Sequence, residues 1–181
     1  MKKVLSALLL TCAFVLPALG DFAFEMTKRL AESGNPNAQF KLGVMYANGE
    51  GVPENDAEAV KWFRLAADQG DTGAQSNLGF MYASGRGVQE NDAEAVKWYR
   101  LAAEQGDAKA QFKLGLMCAL GRGVPQNDTK AYALLSVVKA RGHDVKSALD
   151  IVKKRLTPEQ LAEGQRLAAE CYEKNYKGCG F

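Results

Sequence analysis

A single histidine, His143, and four cysteines in 181 residues leave little material for a metal centre. Zinc sites draw on clusters of Cys and His at short spacing. Neither a CxxC pair nor a Cys/His cluster is present, so no metal and no cofactor are expected. An excess of charge is missing too. Lys2 and Lys3 lie in an N-terminal segment read below as a leader; without them the 23 basic residues become 21, against 21 acidic. A chain with no net charge lacks the electrostatic footprint of phosphate-backbone binding, so nucleic acid is not an expected partner. No apolar run of about 18 residues follows the leader, and no membrane span is expected there. Low-complexity segments and inter-domain linkers are absent as well.

The leader itself is compact. Lys2 and Lys3 precede an uncharged apolar run, Val4 to Leu16; Pro17 breaks it, and Ala18-Leu19-Gly20 places small residues where a signal peptidase reads. Cleavage before Asp21 is expected, with an uncleaved anchor as the alternative. A lipoprotein is disfavoured, because Cys12 sits inside the apolar run behind Thr11. Export leads to a periplasmic or secreted protein in which disulfides are permitted.

What the chain does have is an internal period. Ala38-Gln39-Phe40-Lys41-Leu42-Gly43 recurs at Ala74 to Gly79 and at Ala110 to Gly115, a step of 36 residues. Residues 35–70 and 71–106 match at 25 of 36 positions, and 71–106 and 107–142 at 15 of 36, which chance does not produce. Each period reads as two helices. Asn35, Asp71 and Asp107 are N-cap residues, with Pro36 at the first helical position. The first helices run to about Ala47, Ala83 and Ala119, and the chain then turns at Gly49-Glu50-Gly51 and its equivalents. Asn55 and Asn91 cap the second helices with Glu58 and Glu94 as capping-box partners; Asn127 keeps the cap but Lys130 replaces the acid. Gly70, Gly106 and Gly142 follow the second helices as C′ residues. Small residues such as Ala38, Gly43, Ala59 and Ala66 permit close helix approach, and Leu42, Met45, Tyr46, Trp62 and Phe63 fill the gaps. A lone helix pair cannot bury its apolar stripe, so stacking into an all-α, α/α superhelical solenoid with a 36-residue period is expected.

The organisation is then residues 1–20 signal peptide, 21–34 an N-terminal half repeat, 35–70, 71–106 and 107–142 three repeats, the third with a degenerate second helix, and 143–181 a C-terminal helical cap. Within the cap, Ser147 to Leu156 reads as a helix. Thr157-Pro158-Glu159-Gln160 then starts a final helix that runs to about Lys174.

The motifs A-Q-x-x-L-G-x-M-Y, G-x-G-V-P and D-x-x-x-A-x-x-W on this period resemble the Sel-1-like repeat family, which is related to the tetratricopeptide repeats. The resemblance covers roughly residues 21–142; the third repeat departs from it at Ala131-Tyr132-Ala133-Leu134-Leu135. It implies an interaction scaffold, often exported in bacteria, with first helices lining a concave face. On that face the positions that differ between repeats are the candidate partner-binding stripe: Asn37, Lys41, Val44 and Asn48; Asn77, Phe80 and Ser84; Lys109, Lys113 and Leu116. They recur at spacings of three and four, which aligns them along one side of a helix.

The expected function is therefore non-catalytic binding of a protein or peptide by a monomer in the cell envelope. Secreted, cysteine-rich members of the family have been linked to β-lactam binding or hydrolysis, and the resemblance thus implies a β-lactam or cell-wall-interacting enzyme as the alternative. Its support here is Ser136-Val137-Val138-Lys139, an S-x-x-K match without the S-D-N and K-T-G partners, at chance frequency and in mid-helix. No catalytic residue is assigned. A structural assembly module is the third reading, because Phe22, Phe24 and Met26 need a partner surface that the next repeat is expected to supply. Trp62-Phe63 and Trp98-Tyr99 are read as core, and His143 as a surface loop residue.

With Cys12 in the leader, Cys118, Cys171 and Cys179 remain. Cys118 occupies the packing position of Tyr46 and Tyr82 and is expected to be a buried free thiol beside a filled or empty gap. Cys171 and Cys179 are expected to form the disulfide. In a continuous helix they would stand about 12 Å apart, so the helix must end between them, and Asn175 and Gly178 suit the reversal. A bridge from Cys118 to either terminal cysteine is also open.

Overall fold

The computed structural model describes residues 22–179. The expected leader and cleavage position lie outside the described residues. The described residues form helices and turns without strands. They fall into two compact units, one ending at Asp71 and the other starting at Thr72.

In the first unit, α1 covers residues 22–32, α2 Pro36–Asn48 and α3 Asp56–Asp68. Asn35 Oδ1 accepts from the Ala38 backbone N–H and Asn55 Oδ1 from that of Glu58, so each helix start has the side-chain acceptor its sequence promises. The Glu58 carboxylate itself is held by Lys61. Gly49 and Gly51 turn the chain at φ 71°, in the left-handed region that side chains disfavour. Phe24, Ala31, Leu42 and Met45 form the core, with Tyr46 and Trp62 against it and the Phe24 and Tyr46 rings edge to face at 5.7 Å. Phe24 thus finds its partner in the next repeat, as expected, but Phe22 and Met26 do not and stay exposed. The reason is helical phase. Residues 24, 27 and 31 share the face turned to α2, and 22 and 26 fall on another.

The second unit contains α4 (Thr72–Ser84), α5 (Asp92–Glu104), α6 (Ala108–Leu120), α7 (Asp128–Ala140), α8 (Lys146–Lys153) and α9 (Pro158–Glu173). Helices α2, α4 and α6 begin 36 residues apart, as do α3, α5 and α7, and all six are 13 residues long. The ring of Tyr99 lies where a Cβ on Gly79 would come within 2.8 Å, as the Phe63 ring lies on Gly43 at 2.6 Å. In the first two repeats the glycine in A-Q-x-x-L-G is therefore the seat of an aromatic ring from the second helix, and in the third Gly115 seats Leu134 and Leu135.

A buried polar ladder sets the register of repeat on repeat. Gln39 Nε2 donates to the Ala31 carbonyl and its Oε1 accepts from Gln69 Nε2. Gln111, fully buried, donates to the Ala103 carbonyl and accepts from Arg141. A second device joins loops to helices. Arg122 binds Asp92 and Glu90 and reaches the Ala83 carbonyl. Arg155 binds Asp128 and the Ala119 carbonyl, each 36 residues further on. The C-terminal cap thus supplies the arginine that a fourth repeat would have supplied.

Helix α7 lost the repeat's A-V-K-W because its surroundings changed. Ala133 stands at the position of exposed Lys97 and is buried, as Val137 is at the position of Leu101. Both pack with Ala168 and Cys171 of α9. Gly164 of α9 admits Tyr132, at 2.9 Å from a Cβ built there. Thr157 and Gln160 form the full reciprocal capping box. After α9 the chain reverses through left-handed Asn175, Tyr176 and Gly178. The Gly178 N–H donates to the Glu104 carbonyl and the Tyr176 carbonyl accepts from Gln111. Arg141 lies over the Tyr176 ring at 5.2 Å.

Candidate functional site: a cleft between α4 and α6

Every residue of the candidate stripe reaches solvent, but the structure divides them. Asn37, Lys41, Val44 and Asn48 lie on α2 in the first unit, where Asn48 Nδ2 donates to Glu50. In the second unit Phe80, Ser84, Lys113 and Leu116 line one cleft of about 210 Å³. Asn77 turns back to the Gly73 carbonyl, and Lys109 lines a different hollow with Phe112 and His143.

The cleft is apolar with a charged rim. Phe80 and Ala83 come from α4; Leu116, Met117 and Leu120 from α6. Phe80 is 41% exposed and Leu120 65%, and the two line one cleft. Ser84 contributes little polarity, since its hydroxyl donates to the Phe80 carbonyl at 2.7 Å. At one end of the rim Arg122 is committed to Asp92 and Glu90. The Asp92 carboxylate raises the Arg122 pKa by hydrogen bond and by charge. At the other end, the ammonium of Lys113 has no acidic partner among the described residues.

Five lining residues are absent from the ten of the sequence-derived stripe: Ala83, Met117 and Leu120 on α4 and α6 themselves, and Arg122 and Tyr99 from other elements. Arg122 belongs to the loop after α6. Tyr99 is the sole residue of α5 in the cleft, 2% exposed, and its hydroxyl has no hydrogen-bond partner. Burial pushes its pKa up to about 12, so it stays a neutral phenol and a donor. Repeat 1 has Phe63 at this position and repeat 3 Leu135. That difference between repeats is the signal available in the sequence, hidden because the position packs as core.

The alternative residues are placed elsewhere. Ser136 and Lys139 line a larger cavity, about 510 Å³, with Tyr132, Gln165 and Tyr172. The Ser136 hydroxyl has no partner, and its carbonyl accepts from Tyr172 at 2.9 Å. Ser136 is the ninth of 13 residues in α7, where backbone N–H groups are spent within the helix. None is left to stabilise an oxyanion beside the serine. Phe63, Trp98 and Tyr99 are buried and Trp62 is half-buried, as core residues are.

The structure bonds Cys171 to Cys179, with Cα atoms 5.1 Å apart across the reversal. Cys118 is buried and free. Burial raises its thiol pKa against the opposing pull of Lys130 and Arg100. The gap beside it remains open: a cavity of about 210 Å³ lies between Cys118, Leu114, Val124 and Pro125. No described helix is long and apolar enough to cross a membrane.

The repeat pattern and the fold have counterparts among known proteins. The Sel1 repeat pattern matches residues 36–71, 72–107 and 108–136. The secretory immunoglobulin A-binding protein EsiB of Escherichia coli O6:H1 (strain CFT073) is 44% identical over 69 residues, 36% of this chain and 14% of that protein. The crystal structure of a Sel1 repeat protein from Oxalobacter formigenes superposes with a TM-score of 0.65 at 34% identity, over 84% of this chain and 55% of that one. A second crystal structure, c5321, is described as a protective antigen of uropathogenic Escherichia coli displaying an SLR fold. It gives 0.63 at 29% identity, over 84% and 41%. The chain therefore spans a seventh of the length of EsiB and about half of the two solved chains. With three matched repeats and an all-helical, helix-turn-helix solenoid fold, the chain belongs to the Sel1 repeat family.

Proposed function

We propose that this protein is a non-catalytic scaffold of the cell envelope that binds a protein or peptide in the cleft between α4 and α6. The observation that carries the reading is the exposed apolar pair Phe80 and Leu120 on either side of a cleft, at first-helix positions where the repeats differ. Packing positions such as 42/78/114 and 43/79/115 hold the same residue in every repeat; these exposed ones do not, and clustered exposed apolar surface marks interaction sites. EsiB is named for binding an immunoglobulin, which supports a protein partner in kind while leaving this chain's partner to experiment.

Export is supported by the charged start, apolar run and small-residue site of residues 1–20. N-terminal sequencing of the protein recovered from cells is expected to begin at Asp21. The binding claim is tested by capture from envelope extract, comparing wild type with a Phe80→Ser, Leu120→Ser variant. A partner retained by wild type and lost by the variant is expected. Equal retention would remove the cleft from the function. Turnover of a chromogenic β-lactam that disappears in Ser136→Ala would replace the scaffold reading by an enzymatic one.

A further inference from the structure

Cys118 stands where the first two repeats have Tyr46 and Tyr82, on a backbone that does not change. The N–H groups of Asn55, Asn91 and Asn127 donate to the carbonyls of Tyr46, Tyr82 and Cys118 at 2.8, 2.9 and 2.9 Å. The Tyr46 ring packs edge to face on Phe24, and Tyr82 is buried. In the third repeat the ring is gone. A hollow of about 210 Å³ lies beside the thiol, with Leu114, Val124 and Pro125 as apolar walls. An apolar cavity of about 150 Å³ is enough for benzene, so this one takes a single ring with a short polar arm. A second change accompanies the first. Glu58 and Glu94, the third residues of α3 and α5, pair with Lys61 and Lys97. In α7 the acid becomes Lys130 and its lysine partner becomes Ala133. Lys130 and Arg100 both line the hollow, and both act on the Cys118 thiol by charge. Among the described residues neither cation has an acidic partner, and no carboxylate lines the hollow. Asp128, the acid nearest in sequence, is held by Arg155. Loss of a ring and reversal of a charge thus fall at one place, and they turn a filled position into an apolar hollow beside two unpaired cations.

We infer that the hollow beside Cys118 binds a free single-ring aromatic carboxylate, its ring between Leu114, Val124 and Pro125 and its carboxylate between Arg100 and Lys130. The ring takes the place that Tyr46 and Tyr82 fill in their own repeats. The Cys118 sulfur and the Arg100 guanidinium are favourable neighbours for an aromatic ring. The carboxylate gains charge-assisted hydrogen bonds from both cations. A neutral ring would leave the cations unpaired, and an aliphatic acid as small as acetate would leave the walls uncovered. No amino-acid side chain carries both a ring and a carboxylate, and the volume leaves no room for two large side chains. A protein could present the pair only at a C-terminal aromatic residue, which a free acid does without a chain to accommodate. The hollow shares no lining residue with the cleft between α4 and α6, so this site stands or falls without the cleft.

The test is a titration of the isotope-labelled full-length protein, followed by the amide shifts of Cys118 and Lys130. The probes are phenylacetate, neutral phenylacetamide and the acetylated tetrapeptide GSGF with a free C-terminus. Phenylacetate is expected to bind with Kd below about 1 mM. It is expected to bind about tenfold tighter than either other probe, the scale of one charge-assisted hydrogen bond. Lys130→Glu, the residue of the first two repeats, is expected to weaken phenylacetate about tenfold while leaving phenylacetamide unchanged. A merely structural role for Lys130 would move both ligands together. Cys118→Tyr is expected to abolish binding of both, with its unfolding midpoint reporting that the fold is kept. Should that variant not fold, Lys130→Glu and Arg100→Gln decide, since both change side chains at the rim. Phenylacetate that does not bind by about 1 mM, or that binds the Cys118→Tyr variant as well as wild type, overturns the site. Equal affinity for acid and amide, or phenylacetate binding unmoved by both rim variants, overturns the pairing with the cations. A peptide that binds tighter than phenylacetate makes the ligand a protein's C-terminus and overturns the free acid.

Discussion

Gly79 and Cys118 show how single positions carry the repeat. At Gly79 the constraint is contact, since the Tyr99 ring occupies the space a Cβ needs. Gly79→Ala is expected to destabilise the protein by about 1–3 kcal/mol, the usual cost of forcing an extra carbon into a packed core. Thermal or urea unfolding of the variant checks it, and no loss would mean that Tyr99 has room to withdraw. Cys118 is the opposite case. A thiol replaces a ring, the backbone is unchanged (the Asn127 N–H still bonds the Cys118 carbonyl as Asn91 bonds Tyr82), and a cavity is left. Cys118→Tyr is expected to fill it and to stabilise by about 1 kcal/mol, read as a raised midpoint in the same unfolding experiment. The caps at Asn35, Asn55 and Thr157 and the glycine turns were legible from residue type alone, because each answers a local backbone need. The hydroxyl of Tyr99 was not. Its ring reads as core from spacing, and only the surroundings in three dimensions leave its oxygen unpartnered.

At the scale of elements, the helices recur at the step the sequence shows, and the deviations have identifiable causes. Residues 147–156 read as one helix, but α8 spans Lys146–Lys153, because Arg155 leaves the helical path to reach Asp128 and the Ala119 carbonyl. That partner lies in another repeat and has no signature in the local sequence. The degeneracy of α7 read as decay of the repeat; in the structure it is burial by α9. The tail after α9 depends on its disulfide. The eight-residue separation of Cys171 and Cys179 corresponds to a loop-closure contribution of about 2.5 kcal/mol. Reduction, or Cys179→Ser, is expected to lower stability by that order. The amide of Gly178, which donates to Glu104, is also expected to exchange faster with deuterium. Unchanged exchange at Gly178 would show that Gln111 and Arg141 hold the tail without the bridge.

For the whole molecule, the all-helical repeat architecture was readable from one sequence because a 36-residue identity pattern reports stacked, equivalent units. The site was readable only in part. Variation between repeats picked out Phe80, Ser84, Lys113 and Leu116, which the structure gathers into one cleft, along with Lys109 and Asn77, which it places outside that cleft. Variation marks freedom from packing, and that freedom is shared by binding residues and by idle surface. The account turns on the cleft being where the partner sits. The direct measurement is photo-crosslinking in living cells with benzoylphenylalanine placed at Ser84, at the cleft, or at Lys97, an exposed position on α5. A discrete adduct from position 84 that vanishes with Leu120→Ser, and none from position 97, is the predicted result. Adducts of equal yield from both positions, or none from position 84, would contradict it.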